Sequence, residues 1–256
     1  MIEEKESEIR EIGSILLDIG AHLMSSGASS NRVRVTVNRI AEAYGYDADM
    51  LITNRALMLT VNDHEEKEYF SRVKRTSPHG VNFKVVSGIS RMSWRIVEEK
   101  WNFEQIRAEI HRLTSLPQYP RLLILSLVSL AGASFCRLFG GDTIDMATTF
   151  VATFAGLFIR QQAHKLSFNP YLCVLFASIT ASLISGFGFK IGLSDTLEHS
   201  FASSVLFLIP GVPLIQSFTD IIDGNILNGM VRSINALVMI FMIALGLLSA
   251  MLLYNI

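Results

Sequence analysis

Two regimes of apolar spacing divide the chain. Up to about residue 119, apolar residues recur at helix or strand intervals between charges. Ile9, Ile12, Ile15, Leu16, Ile19 and Leu23 mark one face of a helix predicted over 9–25, which stops where Gly27 can supply a left-handed cap. A second helix is expected over 31–44, ending at Gly45. Leu57, Leu59 and Val61 alternate with Met58, Thr60 and Asn62, the period-two signal of a half-buried strand. Residues 49–53 and 69–74 are its expected partners. Two helices follow, one over 82–98 with Val85, Ile89, Met92 and Ile96 on a face, the other starting at Asn102. Gln105 completes a capping box there, and Ile106, Ile110 and Leu113 carry the apolar face. Pro117 and Pro120 close this region. It reads as an N-terminal soluble α+β domain over residues 1–119, long enough for its own core.

Beyond it the apolar runs lengthen to the scale of a bilayer, which needs about 20 mostly apolar residues per helix. Residues 120–256 read as an all-α polytopic membrane domain of about five transmembrane helices, over 122–139, 143–159, 171–189, 196–213 and 233–254. The fourth is short and is broken at Pro210-Gly211-Val212-Pro213.

Composition sharpens this division. Of the first 120 positions 33 are charged, against 12 of the last 136. With 50% hydrophobic residues overall and a net charge of −1, a disordered chain is excluded and no electrostatic footprint for nucleic acid exists. Lys and Arg are plentiful before the first span. Arg160, His164 and Lys165 lie between spans two and three, and Arg232 precedes span five. The positive-inside rule then puts the N-terminal domain in the cytosol and the C-terminus outside a bacterial inner membrane. Lys190 is one vote against. No cleavable signal peptide is read at the start.

Chemistry-bearing motifs are sparse. There is no P-loop, dinucleotide fingerprint, His-Glu-x-x-His or Gly-x-Ser-x-Gly, so no cofactor or metal is expected. Cys136 and Cys173 fall within spans without ligand spacing and read as packing residues. Asp18 and His22 lie four apart on one helix face, where a surface ion pair suffices. Arg72, Lys74, Arg75, His79, Lys84, Arg91 and Arg95 form a loose basic run, read as a solvated face balanced by Glu65, Glu66 and Glu68.

The broken fourth span is the sharpest feature. Prolines interrupt a membrane helix, and unpaired backbone at that depth is tolerated only inside protein or along a polar cavity. A half-helix starting near Pro213 would offer the amides of Leu214 and Ile215 to an anion. The candidate substrate-binding set is therefore Arg137, Pro210, Gly211, Pro213, Asp220 and Arg232, with the two arginines as countercharge and Asp220 as a proton carrier. The plain alternatives are that Arg137 snorkels to the interface, that Pro-Gly-Val-Pro merely ends the span, and that Asp220 caps the helix or holds Arg232. Thr148, Thr149, Thr153, Ser178, Thr180, Ser182 and Ser185 line a wet path or pack helices.

Four segments carry a resemblance. Leu16-Leu17-Asp18-Ile19-Gly20 through Ser26-Gly27-Ala28, and Pro78-His79-Gly80-Val81-Asn82-Phe83, lie in the first domain. Arg137-Leu138-Phe139-Gly140-Gly141-Asp142, and Ile209-Pro210-Gly211-Val212-Pro213 with Asp220, Gly229 and Arg232, lie in the second. Together, over roughly residues 10–250, they resemble the threonine/serine exporter family, and within it the single-module subunits of two-part succinate exporters. The resemblance implies export of small carboxylates, either threonine and serine or a succinate-like dicarboxylate, and a separate small membrane subunit as partner. Two other readings stand beside it: a membrane-anchored enzyme with a hydrolase-like cytosolic domain, and a regulatory subunit. Five spans exceed what an anchor needs, and no nucleophile–base spacing favours the enzyme.

Overall fold

The computed structural model describes residues 2–63, 68–76, 80–117, 119–191 and 197–255. Glu65, Glu66, Pro78, His79 and Thr196 lie outside them. The described elements run α1 (Ile2–Ser25), α2 (Ser30–Ala43), β1 (Tyr46–Thr53), β2 (Ala56–Asp63), β3 (Tyr69–Arg75), α3 (Phe83–Glu99), α4 (Phe103–Thr114), α5 (Arg121–Leu138), α6 (Thr143–Lys165), α7 (Pro170–Lys190) and α8 (Leu197–Ser204). A 3₁₀ turn (Leu206–Leu208), α9 (Gly211–Ile222) and α10 (Ile226–Tyr254) complete the chain.

Two compact units result. The first gathers Met1–Pro117 with Val212–Ser233, and the second gathers Gln118–Gly211 with Ile234–Ile256. A single cut near residue 119 therefore does not describe the packing, because a late segment joins the first unit.

In the first unit the three strands form an antiparallel sheet in the order β1-β2-β3. Met50 pairs with Leu59 and Thr60 with Ser71, which fixes the register. Alternation puts Leu57, Leu59 and Val61 on the covered face, all fully buried. There they meet Ile12, Leu16 and Ile19 of α1, Val33, Val37 and Ile40 of α2, and Ile89 and Met92 of α3 in one core. Full burial of such side chains contributes roughly 1.5–3 kcal/mol each.

Local chemistry sets the helix ends. Asn102 and Gln105 exchange side-chain-to-backbone bonds of 2.9 Å in each direction, the capping box that the sequence spells. Asn82 caps α3 by accepting from the Val85 amide at 3.3 Å. The end of α1 is a Schellman turn. Ala28 N–H donates to Leu23 O and Gly27 N–H to Met24 O, both at 3.0 Å, with Gly27 at φ +83°.

The second unit is helical, and small residues let its helices approach closely. A Cβ on Gly156 would stand 2.9 Å from Ala177 O, and one on Gly246 only 2.4 Å from Ser178 Oγ. The Ser178 hydroxyl crosses to Ile243 O at 2.8 Å.

Among the described residues three helices are long and apolar enough to cross a membrane: α5, α7 and α10. A fourth results if the broken pair around Pro210 counts as one span. The expected second span lies in α6, which has the length but carries Asp145, Arg160, His164 and Lys165 within its 23 residues. The expected fourth span is not one helix. It divides into α8, the 3₁₀ turn and α9, with a bend of 60° at the break.

Candidate functional site

The turn between α1 and α2 folds back because Gly27 adopts a left-handed conformation. Ser29 then caps α2, its hydroxyl accepting from the Arg32 amide at 3.4 Å. A Cβ on Gly27 would lie 3.0 Å from Gly80 O, so the third chain segment presses closely here. Gly80 N–H donates to Ser25 O and Asn82 N–H to Ser26 O, both at 3.0 Å.

The α9–α10 hairpin docks on this turn within the same unit. Its own closeness depends on Gly229, whose Cβ would stand 2.8 Å from Ser217 O and 2.5 Å from Ile221 Cγ1. Ser217 O–H donates to Gly229 O at 3.0 Å, and its hydroxyl also meets that of Ser233. Gly224, at φ +81°, turns the chain between the helices.

Asp220 and Arg232 stand at the centre. Asp220 is fully buried. Its Oδ1 accepts the Ser30 backbone N–H at 2.9 Å, so the carboxylate sits on the positive amino end of α2. Its Oδ2 lies 3.3 Å from Arg232 Nε, at ion-pair distance but without hydrogen-bond geometry. The Arg232 side chain is only 13% exposed. It donates through Nη1 to Gln216 Oε1 at 2.8 Å and through Nη2 to Ala28 O at 3.0 Å. Gln216 in turn donates to Gly27 O. Asn228 donates to Ser30 Oγ at 3.2 Å and to Ile52 O at 2.9 Å. At the rim, Arg34 donates to Asn225 Oδ1 at 3.3 Å.

Each nitrogen of the Arg232 guanidinium thus has a protein group beside it. As arranged, the cluster clamps the hairpin onto the first turn. A buried pair of this kind costs desolvation to form, and removing one partner strands the other charge.

The remaining candidates lie elsewhere. Arg137 is exposed at the end of α5 and donates to Gly141 O at 3.1 Å, which ties the α5–α6 turn. Pro210 is buried, and α9 begins at Gly211, two residues before the expected start. Gly211 N–H donates to Ile209 O at 2.8 Å, and Pro213 has no N–H. By helix geometry the open first-turn amides are Val212 and Leu214, while Ile215 is the fifth residue and bonds within the helix. The expectation of Ile215 as an open donor is corrected accordingly.

In the N-terminal region Asp18 pairs with Lys74 rather than with His22. Burial and the nearby Lys74 charge hold the His22 imidazole below its usual pKa, against the weaker pull of Asp18. Of the basic run, Arg95 pairs with Glu99 and stacks on Trp101, while Arg72 stands over Phe70.

Sequence reasoning missed Gln216, Asn228 and Ser30. Ser30 stands beside the helix-capping signal of Ser29, but nothing local announces a partner 190 positions away. Three of the four resemblance segments meet here: Ser26-Gly27-Ala28, Gly80 with Asn82, and Asp220 with Gly229 and Arg232.

A family profile described as "Putative threonine/serine exporter" matches residues 14–254. The chain belongs to the threonine/serine exporter family. Among curated relatives it is 27% identical over 252 residues to "Probable succinate transporter subunit YjjP" of Klebsiella aerogenes, covering 98% of this chain and 96% of the relative. The protein of the same name in Escherichia coli is 26% identical over 225 residues, with 87% of each chain covered. "Threonine/serine exporter" of Corynebacterium glutamicum is 24% identical over 230 residues, covering 85% of this chain and 46% of the relative. No solved structure matches the chain significantly. The named relatives are transporters, so the family member described here is a membrane exporter protein and not an enzyme.

Proposed function

We propose that this chain is one subunit of an inner-membrane exporter of small carboxylates, a succinate-like dicarboxylate or threonine and serine, working with a second small membrane subunit. The observation that carries this reading is coverage. The chain aligns with nearly the whole of a relative named as a transporter subunit, and with about half of the one named as an exporter outright.

The clamp supports the topology. Val212–Ser233 packs with the N-terminal unit, so the chain crosses the membrane an even number of times between residues 118 and 211. Crossings by α5, α6, α7 and the α8–3₁₀ segment satisfy that, and α10 makes a fifth. Eight α and three 3₁₀ residues rise only about 18 Å against a core of about 30 Å, which makes the fourth crossing a thin one. The positive-inside pattern then sets the N-terminal unit and the hairpin in the cytosol, with the end of α10 outside. The hairpin lies along the inner membrane face. Ile215, Phe218, Ile222 and Leu227 point outward, 64–83% exposed, opposite the polar face held by Asp220 and Gln216.

In this reading Pro210, Gly211 and Pro213 break the fourth crossing so that the Val212 and Leu214 amides meet a substrate carboxylate. Arg137 adds charge at the opposite end of α5. Asp220 and Arg232 hold the hairpin in place, and their rearrangement admits substrate. Gly211→Leu and Asp220→Asn variants, expressed to normal membrane levels, are expected to lose at least nine-tenths of efflux. Undiminished efflux in both would refute the assignment.

A further inference from the structure

The second unit holds a cluster of hydroxyls that the export reading does not use. The helix α8 is short and polar, and its buried face presents Ser200, Ser203 and Ser204 at helical spacing. Three neighbours meet that face. Thr153 of α6 donates to Ser204 O at 3.3 Å, and Ser185 of α7 to Ser200 O at 3.5 Å. From α5, the Cys136 sulfur lies beside the hydroxyls of Thr149 and Ser203.

Thr149, Ser200 and Ser203 are each at most 1% exposed; the Thr149 and Ser203 hydroxyls have only the Cys136 sulfur to bond, and the Ser200 hydroxyl has no hydrogen-bond partner among the described residues. Ser182, one turn before Ser185, is in the same state. Buried hydroxyls with no partner, or with only a sulfur, are poorly satisfied, and a water or ion is the usual reason for them. On α6 the same face continues to Asp145, four residues before Thr149 and 2% exposed. Its Oδ2 accepts the Asp142 amide at 3.1 Å. The basic groups at the rim are Arg137, which binds Gly141 O, and His199, which lies against Gly140.

Neutral hydroxyl oxygens next to one carboxylate, with no His/Cys/Asp/Glu group of metal-binding geometry among the described residues, do not suit a transition metal or a divalent ion. They suit a hard monovalent cation, and broken membrane helices supply such sites in transporters. We propose that Thr149, Ser200 and Ser203, with Asp145 one turn away, form a sodium-type cation site in the membrane unit. The site would give the exporter a driving ion. That role rests on the export reading, but the binding itself does not.

The test is equilibrium binding of radioactive sodium to the full chain in lipid nanodiscs, which needs no export assay. Saturable binding is expected, displaced by unlabelled sodium and not by choline. Thr149→Val and Ser203→Ala should weaken it at least tenfold. Thr149→Ser keeps the oxygen and should retain binding, which separates ligation from misfolding. Ser134→Ala, at an exposed hydroxyl that bonds its own helix, should change nothing. Absence of saturable sodium binding, as when only water fills the cluster, would overturn the proposal. So would binding unchanged in Thr149→Val and Ser203→Ala.

Discussion

Asp220 is a membrane-half carboxylate whose two oxygens are taken by a helix amino end and an arginine. Its removal leaves Arg232 buried without its counter-ion, which costs about 3–5 kcal/mol. Asp220→Ala should therefore lower the unfolding midpoint of the purified chain markedly. Adding Arg232→Met should recover part of the loss, because no charge is then stranded. If the double variant is no more stable than the single one, the pair is not the coupled unit described. His22 gives a second test. Its folded pKa lies below the unfolded value of about 6.5, so the unfolded chain binds the extra proton more readily. Stability from this group is present above about pH 6.5 and falls as pH drops toward the depressed folded pKa. Thermal melts from pH 8 to pH 5 should show that slope, and His22→Gln should flatten it.

Among the elements, the N-terminal helices and strands were legible because their apolar periods are clean and their caps are local. The strand around Leu57–Val61 and the Asn102–Gln105 box needed no tertiary information. The broken span was legible only as a break. Two prolines flanking Gly211 announce that a helix stops, but not that α9 begins two residues earlier than expected. Nor could sequence show that one face of α9 binds the α1–α2 turn, since its partners Ser30 and Gly27 lie 190 and 189 positions away. The hairpin's sidedness is testable at the same scale. Cys136 and Cys173 are buried, so a cysteine placed at exposed Asp223 should be the main reactive thiol. An impermeant thiol reagent should label Asp223→Cys in inside-out vesicles and not in intact spheroplasts, with the reverse pattern for Asn255→Cys. Labelling of both from one side would contradict the crossing parity.

At the scale of the whole molecule, the charge contrast between halves gave a membrane protein, and spaced motifs gave the family. The compact units cut across that division, since Val212–Ser233 sits with the N-terminal unit. This arrangement joins the N-terminal region to the segment that follows the broken span through Asp220 and Arg232. A two-part exporter is the function proposed for this chain and a second subunit. The direct test is efflux of succinate and of threonine from cells expressing this chain, a small second subunit encoded separately, both, or neither. Efflux of one carboxylate above background only when both chains are present is the expected result. Efflux by this chain alone, or none of either substrate with both chains confirmed in the membrane, would contradict it.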